Sequence, residues 1–186
     1  MILGIDPGVS GALAVLDPHG PKDEPVVVAA EEMPTVKRGV GNKRAQRWRR
    51  EIDLHRLAGL LRPDRDQIKY AMIEEVHSMP KQGVASTFSF GRSSMAPEAI
   101  LAALEIPYIF VRPEQWKRTM QVSADKQEAI RKANQLFPEQ THLWRKPRRR
   151  GNTRDNWLYH DGKAEAVLLA LYGLRTVGPD IRGKKA

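Results

Sequence analysis

Residues 1–16 read MILGIDPGVSGALAVL, and the order of apolar and turn-forming residues in that stretch decides the fold. Ile2 to Ile5 and Ala12 to Leu16 are short apolar runs, separated by Asp6-Pro7-Gly8 and a second glycine, Gly11. Apolar runs punctuated in this way predict strand, tight turn, strand. After a further turn-like segment, Asp17 to Pro21, the stretch from Pro25 to Ala30 is built of valine and alanine and predicts a third strand. Three consecutive strands imply an antiparallel meander, with Asp6 at the end of its first strand.

Downstream the pattern changes. Ile52, Leu54, Leu57, Leu60 and Leu61 lie at helical spacing and predict an amphipathic helix that Pro63 ends. Tyr70 to Ile73 predict a buried strand followed directly by Glu74 and Glu75, and Tyr108 to Val111 predict another. Between them a helix of small residues is expected from Met95 to Leu104, and a further amphipathic helix from Lys126 to Phe137, closed by Pro138. The last helix, Asp161 to Leu174, is apolar on most sides and must be largely buried. Alternating strands and helices imply parallel crossovers. The sum is an α/β protein with a mixed five-stranded sheet, three antiparallel strands then parallel strands, flanked by helices. A single domain over residues 1–178 and a short basic tail over 179–186 are expected, because 186 residues suit one domain with a proper core.

Composition narrows the function. The chain has 31 Lys and Arg against 22 Asp and Glu, a formal charge of +9. Such a surface attracts phosphate backbones, since each neutralised phosphate releases condensed counterions. Cations cluster twice. Val36 to Arg50, with Lys43, Arg44 and Arg47, lacks an apolar stripe and reads as a mobile loop over phosphate; a second basic, turn-rich stretch carries Arg148 and Arg149. There are no cysteines, so disulfides, thiolate metal sites and cysteine nucleophiles are excluded. No apolar run approaches the roughly 18 residues of a membrane span, and the N-terminal run reaches Asp6 too soon for a signal peptide. No membrane association is expected; a cytoplasmic, nucleoid-associated location is the default, and an organelle is not excluded.

Four acids stand where a core should be, which is costly unless each is paired or binds a cation. Asp6 and Glu74 end strands, while Asp161 and Glu165 are four residues apart and so share one helix face. A cluster of hard oxygen ligands without cysteine suits two Mg2+ or Mn2+ ions in a phosphodiesterase site. Taken singly, each acid has a structural account as well: Asp6 as a turn cap, Asp161 and Glu165 as complements to a helix dipole.

Two motifs, GIDPGVSGALAVL and IEEVHSMPKQGVASTFSFGRS, followed by IPYIFVRPEQWKRTM, SADKQEAIRKANQLFP and DGKAEAVLLALYG, resemble the RuvC-like Holliday-junction resolvases, in particular the phage and chloroplast branch. The resemblance runs through most of the chain. It implies a ribonuclease H-like fold, a homodimer, and divalent-metal cleavage of paired strands in a four-way DNA junction. Carried over by position, it implies Asp6, Glu74, Asp161 and Glu165 as the metal-binding acids, with Glu75 outside the match. The four-residue spacing of the last two acids departs from the three common in bacterial members, so His160 stands beside Asp161 as a fallback ligand or as an ordinary helix-start residue. Lys126 and Lys117 fall where the family places lysines near the scissile phosphate, although both also read as surface lysines near helix starts. Lys81, Gln82, Ser86, Phe88 and Arg92, in the segment after Glu74, are expected to contact DNA; Phe88 and Phe90 read as core residues too. The Met95 to Leu104 helix serves either as a dimer contact or as a cover for the sheet. Two rival functions are a non-catalytic basic DNA-binding protein and an actin-like or sugar-kinase-like ATPase, the latter disfavoured because it requires a second phosphate-binding domain.

Overall fold

The computed structural model describes residues 1–40, 47–77, 83–146 and 159–178, with the side chains of Val40 and Arg47 left out. In chain order the strands are β1 (Ile2–Asp6), β2 (Ala12–Asp17), β3 (Val26–Glu32), β4 (Thr35–Val40), β5 (Arg47–Ile52), β6 (Tyr70–Glu74) and β7 (Tyr108–Val111). The helices are α1 (Leu54–Leu61), α2 (Val84–Ala103), α3 (Pro113–Met120), α4 (Lys126–Leu136) and α5 (Asp161–Thr176). Five strands form one mixed sheet in the order β3-β2-β1-β6-β7. The first three pair antiparallel, and β1, β6 and β7 pair parallel, as the sequence predicts.

Side chains alternate across a strand, so each sheet face has its own apolar set. Ile2, Ala12, Ala14, Leu16, Tyr70 and Met72 pack toward α3, α4 and α5, where Trp116 and Val167 are fully buried. Leu3, Ile5, Leu13, Ala71 and Ile73 pack on the other face, with Leu57 and Leu61 of α1 and Leu101 of α2. Asp6 follows Ile2 and Gly4 in this alternation, and Glu74 follows Tyr70 and Met72. Both acids therefore belong to the α5 face.

Two glycines let the chain close up there. A Cβ on Gly4 would lie 2.0 Å from the Ala166 carbonyl oxygen and 2.7 Å from the Ala170 nitrogen, so α5 rests backbone-close on β1. Gly8 has φ +114°, a left-handed conformation that favours glycine, and it forms the turn between β1 and β2 in which the Gly11 amide donates to the Gly8 carbonyl at 3.1 Å.

Three local expectations need correcting. The described parts of the stretch from Val36 to Arg50, read as a mobile loop, are instead strands of a two-stranded ribbon: β4 and β5 pair antiparallel, apart from the main sheet. Its strands carry cations on both faces, so no period-two pattern marked them. Ile52 belongs to this ribbon, and α1 starts after Asp53, whose side chain accepts from the Arg56 amide at 3.0 Å. The helix expected from Met95 begins eleven residues earlier, at Val84, and runs through Pro97. Glycine and serine, weak helix formers, hid its first half. The element α3, short and mostly polar, was not foreseen.

Candidate active site

Four carboxylates meet at one end of the sheet. The parallel register pairs Gly4 with Met72 and Ile5 with Ile73, so Asp6 and Glu74 end adjacent strands on the same face. Asp161 and Glu165 come down onto that end from the first turns of α5. Here the close seat of α5 on Gly4 acts directly. Gly162 lacks the Cβ that would stand 2.7 Å from Asp6 Oδ2, and so the Asp6 carboxylate fits against the start of α5.

Electrostatics records the crowding. Burial raises the Asp6 carboxyl well above the ordinary range, and the charges of Glu165, Glu74 and Asp161 push it further, against the opposing pull of Lys126. Glu74 is also raised by burial, partly offset by the hydrogen bond that Trp116 Nε1 donates to Glu74 Oε1 at 3.0 Å. Burial pushes Asp161 upward too, yet Lys126, hydrogen-bonded to Asp161 Oδ2, prevails and holds it below its usual value. The same bond raises Lys126. Lys146 Nζ lies 3.9 Å from the other oxygen of Asp161. Lys117 Nζ lies 3.1 Å from Glu165 Oε1 and 5.2 Å from the centre of the Trp116 ring.

Asp6, Asp161, Glu165, Lys126, Lys146 and Arg50 line a cleft of about 740 Å³. Glu74 lies deeper and opens onto a smaller hollow beside Ser94, Met95 and Phe110. Arg50 enters from the ribbon, its Nη2 donating to the Val9 carbonyl at 2.6 Å. His160 caps α5: its Nδ1 accepts from the Lys163 amide at 3.3 Å, and its Nε2 faces Glu32 at 3.7 Å. Among the described residues no three Asp, Glu or His side chains are arranged to enclose an ion. The donor set nevertheless suits a hard divalent cation, being all carboxylate, mutually repelling and relieved only in part by lysines.

The other expected site residues divide. Ser86, with Phe90 and Arg49, lines a hollow beside Gly8 and Val9. Phe88 is exposed, against its reading as core, and Arg92 turns to the ribbon, 3.4 Å from Glu51. Glu75 faces Arg112 at 3.5 Å, away from the cluster. Lys43, Arg44, Lys81, Gln82, Arg148 and Arg149 lie outside the described residues, as does the side chain of Arg47 and the tail over 179–186. Sequence reasoning missed Trp116 as the partner of Glu74; a lone tryptophan in the polar run EQWKRT was its signal.

The sheet order, crossovers and helix placement define a ribonuclease H-like α/β fold. Two solved structures share it. The chain is similar to Thermus thermophilus RuvC, solved in complex with a Holliday junction substrate, at 14% identity and a TM-score of 0.55 over 95% of this chain and 96% of that one. It is similar also to the yeast mitochondrial Holliday junction resolvase Ydc2, at 14% identity and a TM-score of 0.52 over 94% of this chain and 77% of that one. No protein-family model matches the chain, and no curated protein matches it by sequence. No helix among the described residues is long and apolar enough to cross a membrane.

Proposed function

We propose that this chain is a structure-selective DNA endonuclease, a single nuclease domain over residues 1–178 that works as a homodimer and resolves four-way junctions by paired, metal-dependent phosphodiester hydrolysis. The observation that carries this reading is the convergence of Asp6, Asp161 and Glu165 on one cleft edged by Lys126, Lys146 and Arg50, with Glu74 behind it close enough for its charge to raise the Asp6 carboxyl. The names of the two structural neighbours, a junction complex and a junction resolvase, support the choice of substrate.

In this reading Asp6, Glu74, Asp161 and Glu165 hold two Mg2+ or Mn2+ ions, which when bound supply Lewis acidity at the phosphate and lower the pKa of water. Trp116 fixes one oxygen of Glu74, leaving the other for ligation. Asp161 is favoured over His160 as the fourth acid, because the His160 ring already caps the helix and faces Glu32. Lys126, largely exposed at the rim, presents its ammonium to the scissile phosphate and stabilises charge that accumulates on its free oxygens. Hydrolysis leaves a 5′-phosphate and a 3′-hydroxyl. Two-fold symmetry in a homodimer would match two symmetric cuts.

The test is cleavage of a synthetic four-way junction with Mg2+, beside a linear duplex of the same sequence. Paired symmetric nicks confined to the junction are expected, and Asp6→Asn should abolish them while junction binding persists. Nicking by Asp6→Asn would overturn the site; equal cutting of duplex would make the protein a general nuclease. Binding without nicking under any divalent ion would leave a non-catalytic DNA binder.

A further inference from the structure

Apart from Arg50 at the edge of the cleft, the cleavage chemistry leaves the β4–β5 ribbon unused. Its register sets Lys37 opposite Arg50, Arg38 opposite Arg49 and Gly39 opposite Trp48. Like charges directly opposite across a ribbon repel, and a polyanion lying along it would relieve them. Glu51 answers part of the charge, 3.0 Å from Arg38. Among the described residues Trp48 has no comparable partner: the residue is 66% exposed, and across from it stands a glycine with no side chain to cover the indole.

Alternation places Trp48 on the same ribbon face as Arg50 and Ile52. Ile52 is buried in the core, and Arg50 donates to Val9 in the turn that follows Asp6. That face is therefore tied to the body of the protein at the mouth of the acidic cleft. A bare indole ring flanked by cations, held beside a phosphodiesterase cleft, has the chemistry of a base-stacking platform.

We propose that Trp48 stacks on an unpaired DNA base at the rim of the cleft, while the ribbon cations hold the flanking phosphates. The inference rests on the endonuclease reading for its substrate. Charge selects DNA over a protein partner, because Lys37 and Arg50 share the face that carries the ring and Arg38 and Arg49 make the opposite face of the same ribbon cationic too. The exposed position means that Trp48 can be replaced without disturbing the core.

The experiment uses Asp6→Asn protein, so that nothing is cut, with and without Trp48→Ala. Affinity is measured for a four-way junction with unpaired thymidines at the branch, for the same junction with abasic residues at those places, and for a thymidine 16-mer. Trp48→Ala should weaken binding to the thymidine junction and the 16-mer by about 5- to 150-fold, the range expected from loss of one aromatic stack. It should change binding to the abasic junction by less than about 2-fold, and Trp48→Tyr should restore most of the affinity. Equal weakening on both junctions, or none on either, would overturn the stacking role. A change in sedimentation mass on Trp48→Ala with unaltered DNA affinity would also overturn it, in favour of a protein contact. If Asp6→Asn protein binds junction no better than duplex while Trp48→Ala still weakens the 16-mer, the junction reading fails and the stacking site stands.

Discussion

Gly4→Ala is the sharpest test of how the site is assembled. The added Cβ would stand 2.0 Å from the Ala166 carbonyl oxygen, where ordinary contact begins near 3.4 Å, so α5 would have to retreat by about 1.4 Å. The obstructing atoms are helix backbone, which cannot swing aside as a side chain can. Overpacking of this kind costs about 1–3 kcal/mol, and rigid backbone on both sides favours the upper end. The retreat also carries Asp161 and Glu165 away from Asp6 and Glu74. A misplacement of about 1 Å can cost on the order of 100-fold in rate, so nicking should fall far more than the population of folded protein. Urea unfolding would measure the first effect, and junction nicking at a temperature where the variant is fully folded would measure the second. Gly59→Ala on α1 is the control: nothing lies within 4 Å of its added Cβ, and it should be neutral or stabilising by up to about 1 kcal/mol. Wild-type stability together with wild-type nicking in Gly4→Ala would refute the seating of α5 through this glycine.

Two further outcomes follow from the acids. Trp116→Phe removes the indole donor on Glu74 Oε1, which should cost about 1–3 kcal/mol by urea unfolding and raise the Glu74 carboxyl further, moving the acid limb of a nicking pH profile upward; an unshifted limb would exclude Glu74 from the reaction. In EDTA the raised Asp6 and Glu74 carboxyls keep protons that the unfolded chain has shed. Stability should therefore fall as pH rises from their ordinary values, 3.8 and 4.5, through the raised ones. Asp161, lowered by Lys126, contributes in the opposite sense, and its share is lost only as pH falls through its lowered value. Asp6→Asn should flatten the decline and raise the melting temperature on the alkaline side of the raised Asp6 value; a Tm below wild type there would contradict a crowded, repelling Asp6.

Much of the frame was legible because it depends on short-range periodicity. Asp6 directly follows the apolar run from Ile2 to Ile5, which marks it as an acid at the end of a buried strand, and the four-residue step from Asp161 to Glu165 places both on one side of a helix. The absence of cysteine restricts any metal to oxygen or imidazole ligands. What sequence could not supply is long-range. Parallel pairing of β1 with β6 joins residues 68 positions apart, Ile2 with Tyr70, and no local pattern specifies that register. The depth of α5 on the sheet depends on Gly4 meeting Ala166, and the indole on Glu74 depends on α3 crossing at the right height. The ribbon escaped notice for a different reason: a strand exposed on both faces buries too little to leave an apolar period, and its hydrogen-bonded partner is visible only in three dimensions. The sequence alone thus determined which acids are candidates, that Asp6 and Glu74 end apolar strands, and that Asp161 and Glu165 share one helix face. Tertiary packing decided that all four converge, because convergence depends on strand register and helix seating set by contacts distant along the chain.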